Sequence, residues 1–273
     1  MSARVWTAAA SLALACVAMP NIAQAQVSYG SEAAVPVPAE RGGWTVGLGA
    51  AAVPDYEGSN DYRAIPVPYL HWESGNRFFD LLGLTARGNV LDNDLIEFGP
   101  RLKIRPKRDD VHNDQVDDLK STDTAVELGA FVGLKYERWR AEVYFSQDVA
   151  DGHSGQLAGF NGGYTWPITP SWILRTNVTT TYASGKFMDT YFGIDARDSQ
   201  RSGLRQYDAN AGFKDVGGDV ALSYAGWEHW GITGAFSYDR LLNDAEDSPV
   251  TKVGSANQFL FGLLVTYQFS PSS

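Results

Sequence analysis

From residue 44 onward, apolar and polar side chains alternate with the two-residue period of a β-strand, not the longer period of a helix. Over 94–105, Ile96, Phe98, Leu102 and Ile104 share one face, and Glu97, Arg101, Lys103 and Arg105 share the other. Over 122–136, Val126, Leu128, Ala130, Val132, Leu134 and Tyr136 stand opposite Glu127, Gly129, Gly133 and Lys135. Over 138–149, Trp139, Ala141, Val143 and Phe145 oppose Arg140, Glu142 and Ser146. Over 171–183, Trp172, Leu174, Thr176, Val178 and Tyr182 oppose Arg175, Asn177 and Thr179. A soluble sandwich would also alternate. Two features favour strands bathed in lipid. The periodic segments run about ten to fourteen residues, longer than most soluble strands and enough to cross a bilayer at a tilt. Their polar faces also carry both signs on neighbouring strands, as a polar lumen requires if its charges are to pair.

The pattern predicts twelve strands, at about 44–53, 62–73, 76–82, 84–91, 94–105, 122–136, 138–149, 155–168, 171–183, 212–225, 228–240 and 257–269. The count falls to ten if the weakly patterned 76–91 region is left out. The expected fold class is all-β, a single transmembrane antiparallel β-barrel over residues 43–269. Either count is even, so both chain ends lie on one side. With that side periplasmic, the inner turns fall near Ser74-Gly75, Asp92-Asn93, Glu137, Thr169-Pro170 and Gly226-Trp227, and all are short. The long connections, 54–61, 106–121, 184–211 and 241–256, then face outward, which is the asymmetry of outer-membrane barrels.

The tryptophans give the same orientation. Every one except Trp6 lies at the start of a strand or within a few residues of a short turn. Indole pairs a large apolar body with one N–H that seeks water, so such a row suggests an aromatic girdle at the inner interface. The last strand, Asn257 to Phe269, alternates and ends on an aromatic. This resembles the C-terminal signal read by the barrel-assembly machinery, with the tail 270–273 as a departure.

Residues 1–25 read as a secretory signal peptide, with Arg4, an apolar stretch over 5–19 and an Ala23-Gln24-Ala25 cleavage site. A lipoprotein site at Cys16 is disfavoured because Ala13 stands where leucine is usual. Cys16 is the only cysteine, so the processed chain has no disulfide, thiol nucleophile or cysteine metal site. Residues 26–42 are small, proline-containing and aperiodic, and are expected to form a flexible periplasmic arm. Processing removes one base and no acid, leaving the chain more acidic than its full-length net charge of −10 and a poor match for nucleic acid. A negative mean hydropathy does not argue against a membrane, since a barrel strand shows lipid only every second residue.

Three motifs carry further information. They are Pro54-Asp55-Tyr56-Glu57-Gly58-Ser59-Asn60-Asp61-Tyr62-Arg63; Tyr191-Phe192-Gly193-Ile194 with Ser202-Gly203-Leu204 and Tyr207; and Asp239 to Val250 with Gly254, Ser255, Asn257 and Gln258. In type and order they resemble the MipA/OmpV family of outer-membrane proteins over nearly the whole mature chain. The resemblance implies a non-catalytic outer-membrane barrel. It implies further roles described for members: a scaffold joining a lytic murein transglycosylase to a peptidoglycan synthase, or a porin-like channel, or a surface adhesin or ligand-binding barrel. Fold alone does not choose among them. A monomer without cofactor, embedded in outer-membrane lipid, is expected.

Because the first and last strands of a closed barrel pair, the 54–61 and 241–256 loops should lie side by side. Asp55, Glu57, Asp61, Asp244, Glu246 and Asp247 would then meet Arg63 and Arg240. An ion-pair network closing the seam is the first expectation. A cation or cationic-ligand site is the second, since clustered carboxylates suit hard cations. The acidic run Asp109, Asp110, Asp114, Asp117 and Asp118 lacks the glycine and terminal glutamate of an EF-hand and reads as a solvated loop. Gly42-Gly43-Trp44 is too short a match to argue for a lipocalin. His153-Ser154 invites an esterase reading, but adjacent residues on a strand point to opposite faces. The 184–211 loop, rich in aromatic and charged groups, is the candidate plug of the lumen.

Overall fold

Long alternating segments with no soluble core to cover both faces must close on themselves, and they do. The computed structural model describes residues 42–269, so the expected signal peptide, the arm up to residue 41 and the tail 270–273 lie outside the described residues. Twelve antiparallel strands form a closed barrel in which each pairs with its sequence neighbours and β1 pairs with β12. They are β1 (Gly43–Pro54), β2 (Tyr62–Ser74), β3 (Arg77–Leu82), β4 (Thr85–Asn89), β5 (Ile96–Arg105), β6 (Ala125–Tyr136), β7 (Trp139–Asp148), β8 (Gln156–Pro167), β9 (Trp172–Ala183), β10 (Gly212–Tyr224), β11 (Trp230–Leu241) and β12 (Asn257–Gln268). The weakly patterned region does hold two strands, and they are the shortest, β3 with 6 residues and β4 with 5.

The barrel is inverted relative to a soluble protein. Leu48, Val178 and Leu263 are 66%, 60% and 55% exposed, while Glu97 and Arg105 on the inner face are each 1% exposed. Lipid takes the place of a core around the outside, and the charges pair inside. Among the described residues, no helix is long and apolar enough to cross a membrane. The aromatic girdle forms at the short-turn end: Trp44 lies 6.2 Å from Trp72, Trp139 lies 4.7 Å from Tyr164, and Trp230 lies 5.0 Å from Tyr267, centroid to centroid.

Turn chemistry follows the barrel asymmetry. The β2–β3 turn is Gly75-Asn76, with Gly75 at φ 62°, and the β6–β7 turn is Glu137-Arg138, with Glu137 at φ 55°. The opposite end carries short helices: α1 (Asp114–Asp117), α2 (Gly185–Phe192), α3 (Ala196–Ser202), α4 (Asn243–Asp247) and α5 (Pro249–Lys252). Where β4 ends early, the Asn89 side chain replaces missing ladder bonds. Its Oδ1 accepts from Phe98 N–H (3.0 Å) and Leu91 N–H (3.2 Å), and its Nδ2 donates to the Asn76 carbonyl (2.6 Å).

Candidate functional site

At the outer end the long loops fold into the mouth and build two apolar clusters. One joins Phe187, Met188, Tyr191 and Phe192 of α2 to Leu157, Ala183, Leu241 and Ala245. The other joins Tyr56, Val111, Val116, Leu119, Ile194, Leu204 and Val250. All three sequence motifs therefore meet here, through Tyr56, through Ile194 and Leu204, and through Val250. The 184–211 loop is indeed folded into the mouth. Its neck is clamped by a two-way backbone bridge between Ile194 and Tyr207, at 2.8 and 3.0 Å. Helix α2 sits so close to the β7–β8 loop that a Cβ on Gly155 would lie 2.6 Å from Phe187 N. Ser248 caps α5, accepting from Val250 N–H (3.2 Å), and its hydroxyl donates to the Phe192 carbonyl (2.6 Å).

Beneath the plug lies a buried ionic cluster. Arg105 donates to Glu127 (2.9 Å) and to Glu57 (2.8 Å). Its guanidinium stands 5.0 Å from the centroid of the Phe187 ring and 5.5 Å from that of Tyr191. Lys214 lies 3.4 Å from Glu57 and 2.5 Å from Asp215. Gly155 N–H donates to His153 Nδ1 (2.9 Å), which leaves Nε2 to donate to Glu127 (3.3 Å). The cluster thus ties β5, β6, β10 and the β1–β2 loop to α2. His153 is buried against Phe187 and Tyr191, and Ser154 points to Asp151 instead, so the pair does not assemble as a nucleophile and its base.

The eight residues expected to converge at the seam are distributed over separate pairings. Asp55 pairs with Arg63 and accepts from His112 N–H (2.8 Å). Glu57 belongs to the buried cluster. Asp61 is exposed and contributes its backbone, its carbonyl accepting from Asp55 N–H (2.9 Å). Arg240 pairs with Glu246 and donates to Asn257 (3.1 Å). Asp244 accepts from the backbone (2.7 Å) and the side chain (3.0 Å) of Asn210, and Asp247 pairs with Lys252 (3.0 Å). The two loops do lie side by side, stitched by Ser255 N–H to Gly58 O (2.7 Å) and Gly58 N–H to Gln258 (3.1 Å). Among the described residues, no group of three or more His, Cys, Asp or Glu side chains is arranged to hold a metal.

A charged vestibule lies at the other end. A cavity of about 750 Å³ occupies the lumen at the short-turn end and reaches the rim at Gly42, Gly75 and Glu137. Its walls are strongly charged. Arg87 bridges Glu142 (2.7 Å) and Asp80 (3.5 Å), Asp80 accepts from His71 (2.5 Å), and Glu97 takes Arg140 (2.5 Å) and Lys135 (3.4 Å). Sequence reasoning placed Glu97, Lys135, Arg140, Glu142 and Arg175 on polar faces. It did not bring them to one level, because that depends on register.

The family model described as MltA-interacting protein MipA matches residues 46–269. The MltA-interacting protein of Escherichia coli (strain K12) is 27% identical over 244 residues, covering 84% of this chain and 91% of the relative. Outer membrane protein Omp26La of Vibrio anguillarum is 27% identical over 239 residues, covering 84% and 87%. Outer membrane protein OmpV of Vibrio cholerae is 26% identical over 238 residues, with the same coverage of 84% and 87%. Among solved structures, the NanC porin aligns at a TM-score of 0.44 and 10% identity, over 83% of this chain and all of that one. The translocator domain of the autotransporter NalP from Neisseria meningitidis aligns at 0.44 and 12%, over 83% and 89%. With a match that runs from the first strand through the last and takes in all three mouth-building motifs, the chain belongs to the MipA family and is an outer-membrane β-barrel.

Proposed function

We propose that this barrel is non-catalytic and serves as a periplasm-facing scaffold for peptidoglycan-remodelling enzymes. The observation that carries the reading is the polarity of the lumen: apolar clusters fill the outer mouth, and a charged cavity reaches the rim at the short-turn end. A filled outer mouth favours this reading over an open porin-like channel or a surface adhesin. The Escherichia coli relative is named for an interaction with MltA, which supports a lytic murein transglycosylase as partner, with a peptidoglycan synthase as the second. The periplasmic turns are tiny, so residues 26–42, read as an arm after signal-peptide removal, supply the remaining contact surface. Capture of a lytic murein transglycosylase from a detergent extract on the immobilised barrel tests the reading. Deletion of residues 26–41 is expected to weaken capture severalfold, and unchanged capture would refute the arm's part. Failure of the intact chain to capture the enzyme would refute the scaffold.

A further inference from the structure

The barrel wall has a gap in its outer half. Strand β2 is 13 residues long, but β3 has 6, and the pairing of β2 with β3 stops at Tyr69 and Leu82. The β3–β4 hairpin closes just above that level. There Gly83 N–H bonds to the Pro68 carbonyl (2.9 Å), and Ile104 N–H bonds to the Leu84 carbonyl (2.9 Å). Among the described residues, 62–67 of β2 pair with β1 alone, and β2 does not pair with β5 above the hairpin. The two strands are set apart by the width of the hairpin, three strand spacings or about 14 Å. A Cβ on Gly83, at the floor of the gap, would meet nothing within 4 Å.

The gap lies at membrane depth. Trp72 of the girdle is four residues from Pro68 and eight from Ala64 along β2. At about 3.3 Å per residue and a tilt of about 40°, this margin runs from roughly 10 to roughly 20 Å above the girdle, inside an apolar band about 25 Å tall. The margin suits hydrocarbon. Successive residues of a strand turn their backbone groups to opposite neighbours. Pro68, whose carbonyl meets the hairpin, therefore shares its direction with Pro66 and Ala64. Two of these three residues have no N–H to leave unpaired, and on the far margin β5 is followed directly by Pro106. An open edge rich in donors would be costly in lipid and would invite another strand, and proline prevents both. The side chains agree. Ala64 and Pro66 face outward and are exposed. Ile65 and Val67 face inward yet are only half-buried, whereas Ala51 and Val53 beside them on β1 are 4% and 0% exposed. With Leu260 these four form an apolar patch on a lumen wall that is polar elsewhere, as at Glu127, Ser146 and Thr181.

We infer that the gap is a binding site for one acyl chain of a surrounding membrane lipid, which lies between β2 and β5 above the β3–β4 hairpin and reaches Ile65 and Val67. Hydrocarbon is the medium at that depth, the β2 margin is stripped of donors, and the wall behind it is apolar. The site does not depend on the scaffold reading. Photolabelling of the unaltered protein provides the test. The barrel is reconstituted into phosphatidylcholine vesicles containing a phosphatidylcholine with a diazirine midway along one acyl chain. After irradiation, the modified residues are located by mass spectrometry. Leu263 on the lipid face should be labelled. Ile65 and Val67 should be labelled to a comparable extent although they face inward. Ser146 and Ser237, inward-facing on strands paired along both edges, should remain unlabelled. Labelling confined to outward positions, with Ile65 and Val67 as clean as the two serines, would overturn the proposal. Equal labelling of all four inward positions would overturn it too, since lipid would then enter the lumen without regard to the gap.

Discussion

Arg105→Ala is expected to destabilise the folded barrel by about 3–5 kcal/mol, the range for breaking a buried ion pair from one side. The replaced guanidinium is 1% exposed and holds two buried carboxylates, Glu57 and Glu127. Removing it leaves Glu57 and Glu127 buried without their shared counter-ion, with only Lys214 and His153 beside them. It also strips the cation from Phe187 and Tyr191, so α2 loses its seat as well as its neutral surroundings. Equilibrium unfolding in lipid vesicles measures the first effect. Planar-bilayer recording measures the second: the parent chain should show no steady conductance, and the variant should show openings. A variant as stable and as closed as the parent would mean that the outer mouth is held by something else. The cluster also sets a pH dependence. Burial alone would push the Glu57 carboxyl up, but Lys214 and Arg105, then Lys103, outweigh it and hold the group below its ordinary range. A carboxyl depressed in the folded state contributes stability that is complete above the ordinary glutamate range and is lost as pH falls through the depressed value. With Arg105 gone, that acid loss should begin at higher pH.

The second large effect concerns the outside of the barrel. Leu263 lies mid-strand in β12, 55% exposed, between Ala50 of β1 and Gly234 of β11. Leu263→Arg is expected to cost about 2–4 kcal/mol in lipid vesicles, as for an arginine on the lipid face at the bilayer midplane. In a water-soluble protein the same change at an exposed site would cost almost nothing. Equal stability of variant and parent would therefore show that this face does not meet hydrocarbon.

Ten strands were plainly legible in the sequence because each shows one face to lipid and one to the lumen, so the period of two runs unbroken for most of its length; β3 and β4, with 6 and 5 residues, are too short to show it as clearly. The ends were read to within a few residues, and errors collect where turns add polar residues that mimic strand continuation, as at 122–125 and 228–230. The adjacency of the 54–61 and 241–256 loops followed from closure alone. Their chemistry did not. The acids were expected to meet Arg63 and Arg240, and Asp55 with Arg63 and Glu246 with Arg240 do pair, whereas Glu57, Asp244 and Asp247 are taken by Arg105, Asn210 and Lys252, whose placement only the tertiary structure reveals. The short helices were hidden because their apolar residues serve a core no larger than the mouth, with too few turns to establish a helical period. The vestibule was hidden for a different reason. Glu97, Lys135, Arg140, Glu142 and Arg175 were assigned to the inner face, but the pairing of Lys135 with Arg140, or of Thr165 with Arg175, depends on register, which a single strand does not encode.

The central claim is that the lumen is closed to the outside and open to the periplasm. Because Cys16 is the only cysteine, a single cysteine in place of Asn177, on the vestibule wall, reports access without competition once residues 1–25 are removed. The decisive measurement is labelling of this variant by a maleimide too bulky to pass outer-membrane porins, added first to intact cells and then to cells with an opened periplasm. Labelling only after the periplasm is opened is the predicted result, and labelling of intact cells would contradict it.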